Sequence, residues 1–362
     1  MHIQWIHLSD FRNFRTLSYS PAAALNVVTG PNAQGKTNLL EALALLLVGR
    51  SFRAGKPVDL PRWGTEGATL AGQLCRGDVT REMRRRVGRR QDGGWAVLGE
   101  GCAWARAIPF SWQDVGVVAG GPQARRNFLD GFAGKIFPAH LPGLARYRKL
   151  LARRNHLLQS GLDQAALQAR IEPWDQQMAS EGLDVLDRRR RAVAELAAEV
   201  ARLYPALAGS GAVRLEYESS LDAGISAERF VEELRARRQD EVRRGQTLVG
   251  PHRDDVLIEM DGRDMRSFGS RGQQRLMALA LRLAEVGPVE RAVGSQPVLL
   301  LDDALSELDP EVQGNVLRHV EGSGQVFLTT AERRLPARQS AWWVVRGGHV
   351  RDLRPQLGQG AA

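Results

Sequence analysis

Gly30-Pro31-Asn32-Ala33-Gln34-Gly35-Lys36-Thr37 fits the pattern G-x-x-x-x-G-K-[ST] at every fixed position. Before it runs the β-branched stretch Leu25-Asn26-Val27-Val28-Thr29, and after it Asn38 to Val48 is almost wholly Leu and Ala. A strand, a glycine-bearing loop and a buried helix is the context that a phosphate-binding loop requires. Glycines at 30 and 35 let successive backbone N–H groups turn into one anion-sized hollow, and the positive end of the helix adds to it. Lys36 is expected to reach the β- and γ-phosphates of a nucleotide, and the Thr37 hydroxyl to ligate Mg²⁺.

The chain has 362 residues, enough for about two domains. With 43% hydrophobic and 25% charged residues it has the composition of a globular protein. A formal charge of +9 and a pI near 10.3 favour an anionic partner, with nucleic acid the first candidate and a basic, solubilising surface the alternative. Cys75 and Cys102 are the only cysteines and have no metal-ligand spacing, so they read as reduced thiols. No stretch is long enough to span a membrane and the N-terminus is charged, so a cytoplasmic location is expected.

Met1 to Ser20 reads as an opening strand pair, with Arg12 and Asn13 at a turn that either faces a nucleotide or is simply solvated. Ala68 to Leu98 alternates between turn signals, as a β-meander does. Its middle strand carries Arg81, Arg84, Arg85, Arg86, Arg89 and Arg90, which suits either a solvated edge or a phosphate-contacting strip, but not a buried face. Gly120-Gly121-Pro122 marks an exit from the first lobe. From about Gly131 to Leu207 apolar residues recur at helical spacing, in a region rich in arginine. That region is too short for a long coiled-coil arm.

Strand patterns return at Val213 to Glu218 and Val256 to Met260, separated by a helix and by Gly250-Pro251-His252-Arg253-Asp254-Asp255. His252 reads as structural rather than as a catalytic base. Ser270 is a plausible N-cap for a helix that begins with Arg271-Gly272-Gln273, a start that could also recognise phosphate. The apolar run Pro297 to Leu301 then delivers Asp302 and Asp303 to the C-terminal edge of a buried parallel strand. Paired with the loop, Asp302 is expected to hold the Mg²⁺ shell and Asp303 to orient or deprotonate the attacking water. A helix, a strand and a strand pair follow, and residues after Pro355 are expected to fray.

The order of these features resembles an ABC-type ATPase head. Within that superfamily the chain resembles the RecF family of bacterial recombinational repair proteins. The resemblance rests on Leu8 to Phe14, Gly30 to Ala42, Gly49 to Arg53, Arg125-Arg126 with Phe128 to Asp130, Gly250 to Asp255, Ser270 to Arg275, and Leu300 to Asp309. It implies an α/β fold: an ABC-type P-loop ATPase head, residues 1–120 and 246–362, with an inserted, mainly helical second lobe at 121–245.

For the site, the resemblance implies a signature made of Ser270, Gly272 and Gln273 that acts in trans on a second molecule's nucleotide, with Arg271 in place of the usual first glycine. Gln113 falls near the position of a metal- or water-binding glutamine, in a Ser-Trp-Gln-Asp setting that departs from the family's Ser-Pro-Glu-Asp. Thr329 and Thr330 stand where many ABC ATPases place a switch histidine, and Thr330 is the expected switch.

For function, it implies an ATP-dependent homodimer with weak, DNA-stimulated ATPase activity, acting on single-stranded and gapped duplex DNA. RecR and RecO would be partners in loading RecA, in repair linked to replication and SOS induction. An SMC-type structural clamp is the alternative, and the missing long heptad arms weigh against it.

Overall fold

The structure, a computed structural model, describes residues 1–332 and 340–353. The expected fraying after Pro355 lies outside the described residues. The strands are β1 (His2–Phe11), β2 (Phe14–Tyr19), β3 (Leu25–Thr29), β4 (Ala68–Arg76), β5 (Val79–Arg89), β6 (Trp95–Leu98) and β7 (Ala107–Phe110), then β8 (Val213–Glu218), β9 (Asp255–Met260), β10 (Arg263–Asp264), β11 (Val298–Leu301), β12 (Val326–Thr329), β13 (Ser340–Arg346) and β14 (His349–Asp352).

The chain forms two compact units, Met1–Val115 with Arg202–Gly211 and Ser270–Ala362, and Gly116–Ala201 with Ala212–Gly269. The expected boundaries differ from these at residues 202–211, which fall in the first unit, and at 246–269. Residues 246–269 fall in the second unit, because β9 pairs antiparallel with β8, from Val213 opposite Met260 to Glu218 opposite Asp255.

The first unit holds two sheets. One is antiparallel, in the order β2-β1-β4-β5-β6. The other has the order β14-β13-β3-β12-β11-β7, with β3, β12, β11, β7 and β13 mutually parallel where they pair. All five residues of β3, and all four of β11 and of β12, are buried, as strands covered on both faces must be. The helix Lys36–Val48 buries Leu39 through Leu47 in the same core as Ile3, Leu8, Phe14, Leu70, Leu300 and Phe327. Beyond its first turn it is apolar on every side except at Glu41, as a helix enclosed by core requires.

On β5, Arg84, Arg86 and Arg89 point outward, but Arg85 is buried at 6% exposure. It donates to the carbonyls of Leu46 (3.3 Å) and Gly99 (2.7 Å). The expectation that this arginine run avoids a buried face therefore fails at one position, where carbonyl acceptors meet the guanidinium. Cys75 and Cys102 are buried free thiols.

In the second unit the helices Pro122–Ile136, His140–Leu158 and Gln164–Ala208 dominate, the last passing into the first unit at Arg202. Pro122 sits at the first helical position, where a missing N–H costs nothing. Arg154, fully buried, ties this unit together through Asp175 (2.7 Å), Glu241 (2.6 Å) and Thr247 (2.8 Å).

Candidate functional site

The loop Gly30–Thr37 leaves β3 at its C-terminal end, where parallel α/β sheets place ligands. Two of its glycines are required by close approach as well as by conformation. Gly30 has φ +145°, and a Cβ there would lie 2.4 Å from the Val345 carbonyl oxygen; Gly35 has φ +113°, and its Cβ would lie 2.6 Å from Asn13 Nδ2. Ala33 also adopts a positive φ, 63°. The loop is fixed from outside by the Asn13 amide, which donates to the Gln34 carbonyl (2.9 Å) and accepts from Asn38 (2.8 Å). The backbone N–H of Gly347 donates to Gln34 Oε1 (2.8 Å).

Asn13 thus buttresses the loop. Its neighbour Arg12 makes a two-pronged pair with the buried Glu41 (2.8 and 2.9 Å), which also accepts from Ser51 (2.5 Å). Neither is merely solvated, and the pairing of Arg12 with a residue 29 positions away carries no local sequence signal.

Lys36 Nζ donates to the carbonyls of Gly30 (2.7 Å) and Pro31 (3.2 Å), so the ammonium lies over the loop's own backbone. Partial burial lowers its pKa, and Asp303 and Asp302 oppose that shift. The Thr37 hydroxyl lies 3.0 and 2.9 Å from the two oxygens of Asp302, across 265 residues of sequence. Asp302 stands just past β11 on the same sheet edge, and its N–H donates to the Phe110 carbonyl (2.9 Å). Burial raises its pKa, with Asp303 adding to the rise, while hydroxyls of Thr329 and Thr37 hold it down. A hydroxyl and a carboxylate brought together are hard oxygen donors, a set that fits Mg²⁺.

Asp303 is held differently. Its φ is +51°, uncommon for a non-glycine residue. Its N–H donates to Thr329 Oγ1 (2.8 Å), and its carbonyl accepts from Arg275 (2.6 Å) and Ser306 (3.0 Å). The residue is exposed. Its backbone is pinned from both sides, which leaves the carboxylate presented to solvent.

The two threonines at the end of β12 divide their work. Thr329, buried, donates to Asp302 (2.8 Å) while accepting from Asp303, whereas the Thr330 hydroxyl takes the N–H of Glu332 (3.0 Å). The residue in contact with the acidic pair is Thr329, and Thr330, the expected switch, is turned to its own chain. The sequence reading also missed Arg275. Its position four residues after Arg271 marks only a helix turn.

Ser270 caps the helix Arg271–Ala284, its hydroxyl accepting from the Gln273 N–H (3.3 Å), while Gln273 Oε1 accepts from the Ser270 N–H (2.9 Å). This reciprocal box leaves Ser270, Arg271, Gly272 and Gln273 exposed at a helix N-terminus. Gln113 lies exposed in the short turn Trp112–Asp114 directly after β7, the strand beside β11.

A loop after a central parallel strand, an acid pair on a neighbouring strand and a capped helix start together define an ABC-type ATPase head. A family model described as an AAA domain matches residues 6–112. DNA replication and repair protein RecF of Desulforudis audaxviator is 37% identical, covering 97% of this chain and 99% of its own. The solved structure of the recombination mediator protein RecF with ATP, in the RecFOR pathway, aligns with a TM-score of 0.84 at 28% identity over 97% of both chains. The chain belongs to the RecF family of DNA replication and repair proteins. An SMC head bound to the C-terminal winged-helix domain of ScpA aligns at a TM-score of 0.57 and 14% identity, covering 99% of this chain and all of that one, and so shares the fold.

Proposed function

We propose that this chain binds ATP with Mg²⁺ at Gly30–Thr37 and that two molecules close around two nucleotides, each supplying the other's site with its Ser270 helix start. The observation that carries this is the Thr37–Asp302 contact, which unites two motifs 265 residues apart at one sheet edge. Lys36 would leave its carbonyls for the phosphates, and the loop N–H groups would hold the same charge. Thr37, Asp302 and, by its place beyond β7, Gln113 would hold Mg²⁺, which neutralises phosphate charge when bound.

Asp303 would accept the proton of the attacking water, in a position set by Thr329 and Arg275. The exposed box of Ser270, Gly272 and Gln273 would meet the γ-phosphate held by the other molecule, so ATP would act as the link between protomers. Slow hydrolysis, stimulated by DNA, would reopen the pair. Among the described residues no helix is long and apolar enough to cross a membrane. With a basic chain and relatives named for replication and repair, this supports work on single-stranded and gapped duplex DNA in the cytoplasm. The RecFOR setting of the ATP-bound relative supports RecO and RecR as partners in loading RecA.

Sedimentation with ATP, with ADP and without nucleotide tests the trans arrangement. Ser270→Arg is expected to bind ATP as a monomer and to lose ATP-driven dimerisation. If it loses both or neither, the signature does not act in trans.

A further inference from the structure

Two of the sequence blocks quoted above, Arg125 to Asp130 and Gly250 to Asp255, play no part in the nucleotide site. Both lie in the second unit, where they enclose one cavity of about 300 Å³ together with the helix His140–Leu158. That is the lower end of the volumes of ligand sites, which begin at about 300 Å³.

One wall is closed by a fixed relay. His252 Nε2 lies 3.1 Å from the Thr247 carbonyl, which can only accept, so the ring proton sits there and Nδ1 accepts from the Tyr147 hydroxyl at 2.7 Å. Gly250 makes room for this contact: a Cβ there would stand 2.8 Å from the Tyr147 oxygen. Burial keeps the His252 ring neutral at ordinary pH, its pKa lowered to about 4.

The side-chain carbonyl and carboxylate oxygens near the cavity each already receive a donor. Gln123 Oε1 receives Arg126 (3.0 Å), Asn127 Oδ1 receives Gln123 (2.8 Å), and the two oxygens of Asp130 receive Arg189 (2.8 and 2.9 Å). Asp130 also meets His140 (3.0 Å). The neighbouring carboxylates are turned elsewhere, Asp255 to Arg125 (2.7 Å twice) and Asp254 to Tyr217 (2.6 Å) and Ser220.

Donors and positive charge remain. Among the described residues Arg126 bonds to neutral oxygens, the Asp254 carbonyl (2.7 Å) and Gln123. Arg148 reaches Asp130 at 3.5 Å with its side chain 58% exposed. Arg126, Arg148 and Arg189 set three positive charges against the negative ones of Asp130 and Asp254, an excess of one, Asp255 being matched by Arg125. A cavity whose side-chain acceptors already receive donors, with cationic forks at its mouth, favours an oxygen-rich anion.

We propose that this cavity is a phosphate-binding site and that it seats a backbone phosphodiester of the DNA. The choice of DNA as the source rests on the function proposed above; the preference for phosphate does not.

Arg148→Glu reverses an exposed charge, and Arg126→Gln removes a half-buried one. Binding of a fluorescent gapped duplex is measured by anisotropy between 50 and 200 mM salt, with ATP binding as a control of folding. Arg148→Glu is expected to weaken DNA binding about tenfold, to flatten the log–log salt slope by about 0.9 per lost phosphate contact, and to leave ATP binding unchanged. Arg148→Lys is expected to retain most of the affinity. Wild-type affinity and slope in both Arg148→Glu and Arg126→Gln overturn the proposal.

If the wild type binds no DNA, the DNA reading fails by itself and the cavity is judged by its chemistry. Inorganic phosphate and deoxyadenylate are then titrated calorimetrically into Lys36→Met, with and without Arg148→Glu. Saturable binding that Arg148→Glu abolishes supports a free-phosphate site, and no saturable binding overturns it.

Discussion

Thr329→Val separates shape from hydrogen bonding at the nucleotide site. The side chain is buried, at 1% exposure, and Val keeps its volume while removing the hydroxyl that donates to Asp302 (2.8 Å) and accepts from the Asp303 N–H (2.8 Å). A bond to a charged group is worth about 1.5–3 kcal/mol, and leaving the part-buried Asp303 N–H without this partner costs about 1 kcal/mol, the low end for such a donor. Together they give a destabilisation of about 3 kcal/mol.

The same change removes one of two hydroxyls that hold the Asp302 carboxylate in place, so its oxygens are less well oriented for a cation. If about half of the loss bears on that carboxylate, Mg²⁺-dependent ATP affinity falls about tenfold. Urea unfolding followed by tryptophan fluorescence reads the first effect, and fluorescent-nucleotide binding with and without Mg²⁺ the second. Thr329→Ser, which keeps the hydroxyl, is expected to stay near wild type, and Thr330→Val to change metal-dependent binding little. A Thr329→Val protein with wild-type stability and affinity would mean that the hydroxyl only fills space.

Arg12→Met should destabilise the first unit by about 3 kcal/mol in urea unfolding, because the completely buried Glu41 would keep, among the described residues, only Ser51 as side-chain partner. Adding Glu41→Leu should recover most of that loss, and additive losses would refute the coupling. His252 titrates at about 4 in the folded chain against about 6.5 unfolded, so between those values the unfolded chain holds more protons. Its contribution, about 3 kcal/mol, is complete above pH 6.5 and is lost as the pH falls towards 4. Unfolding free energies from pH 7.5 to 4.5 should follow that slope in the wild type and flatten in His252→Gln; equal slopes in the two would show that the ring is not held neutral.

The phosphate loop could be read from the sequence because its constraints are local: two glycines at fixed spacing, a lysine and a hydroxyl between a strand and an apolar helix. Asp302 was readable for the related reason that a fully buried parallel strand is a bare apolar run, and Ser270 because an N-cap is written within four residues. What could not be read depends on pairing across the chain. Arg85 looks like its exposed neighbours until carbonyls from Leu46 and Gly99 meet it. Thr329 and Thr330 are alike in sequence, and only the register of β12 beside β11, with Leu328 opposite Leu301, decides which one meets Asp302. Residues 246–269 look continuous with the C-terminal ATPase part until β9 finds β8.

The sheet that carries the nucleotide site has a consequence for how the protein is made. The antiparallel sheet uses only residues 2–98, so it can assemble while the rest of the chain is still being synthesised. β3 has no such neighbour: its partners are β12 and β13, which begin at Val326 and Ser340. At roughly 5–20 residues per second the ribosome needs about 15–60 s to deliver them. For that time a strand that ends up wholly buried, and its loop, wait with both edges open. The nascent chain is therefore most vulnerable to aggregation and most dependent on chaperones between its first and last hundred residues.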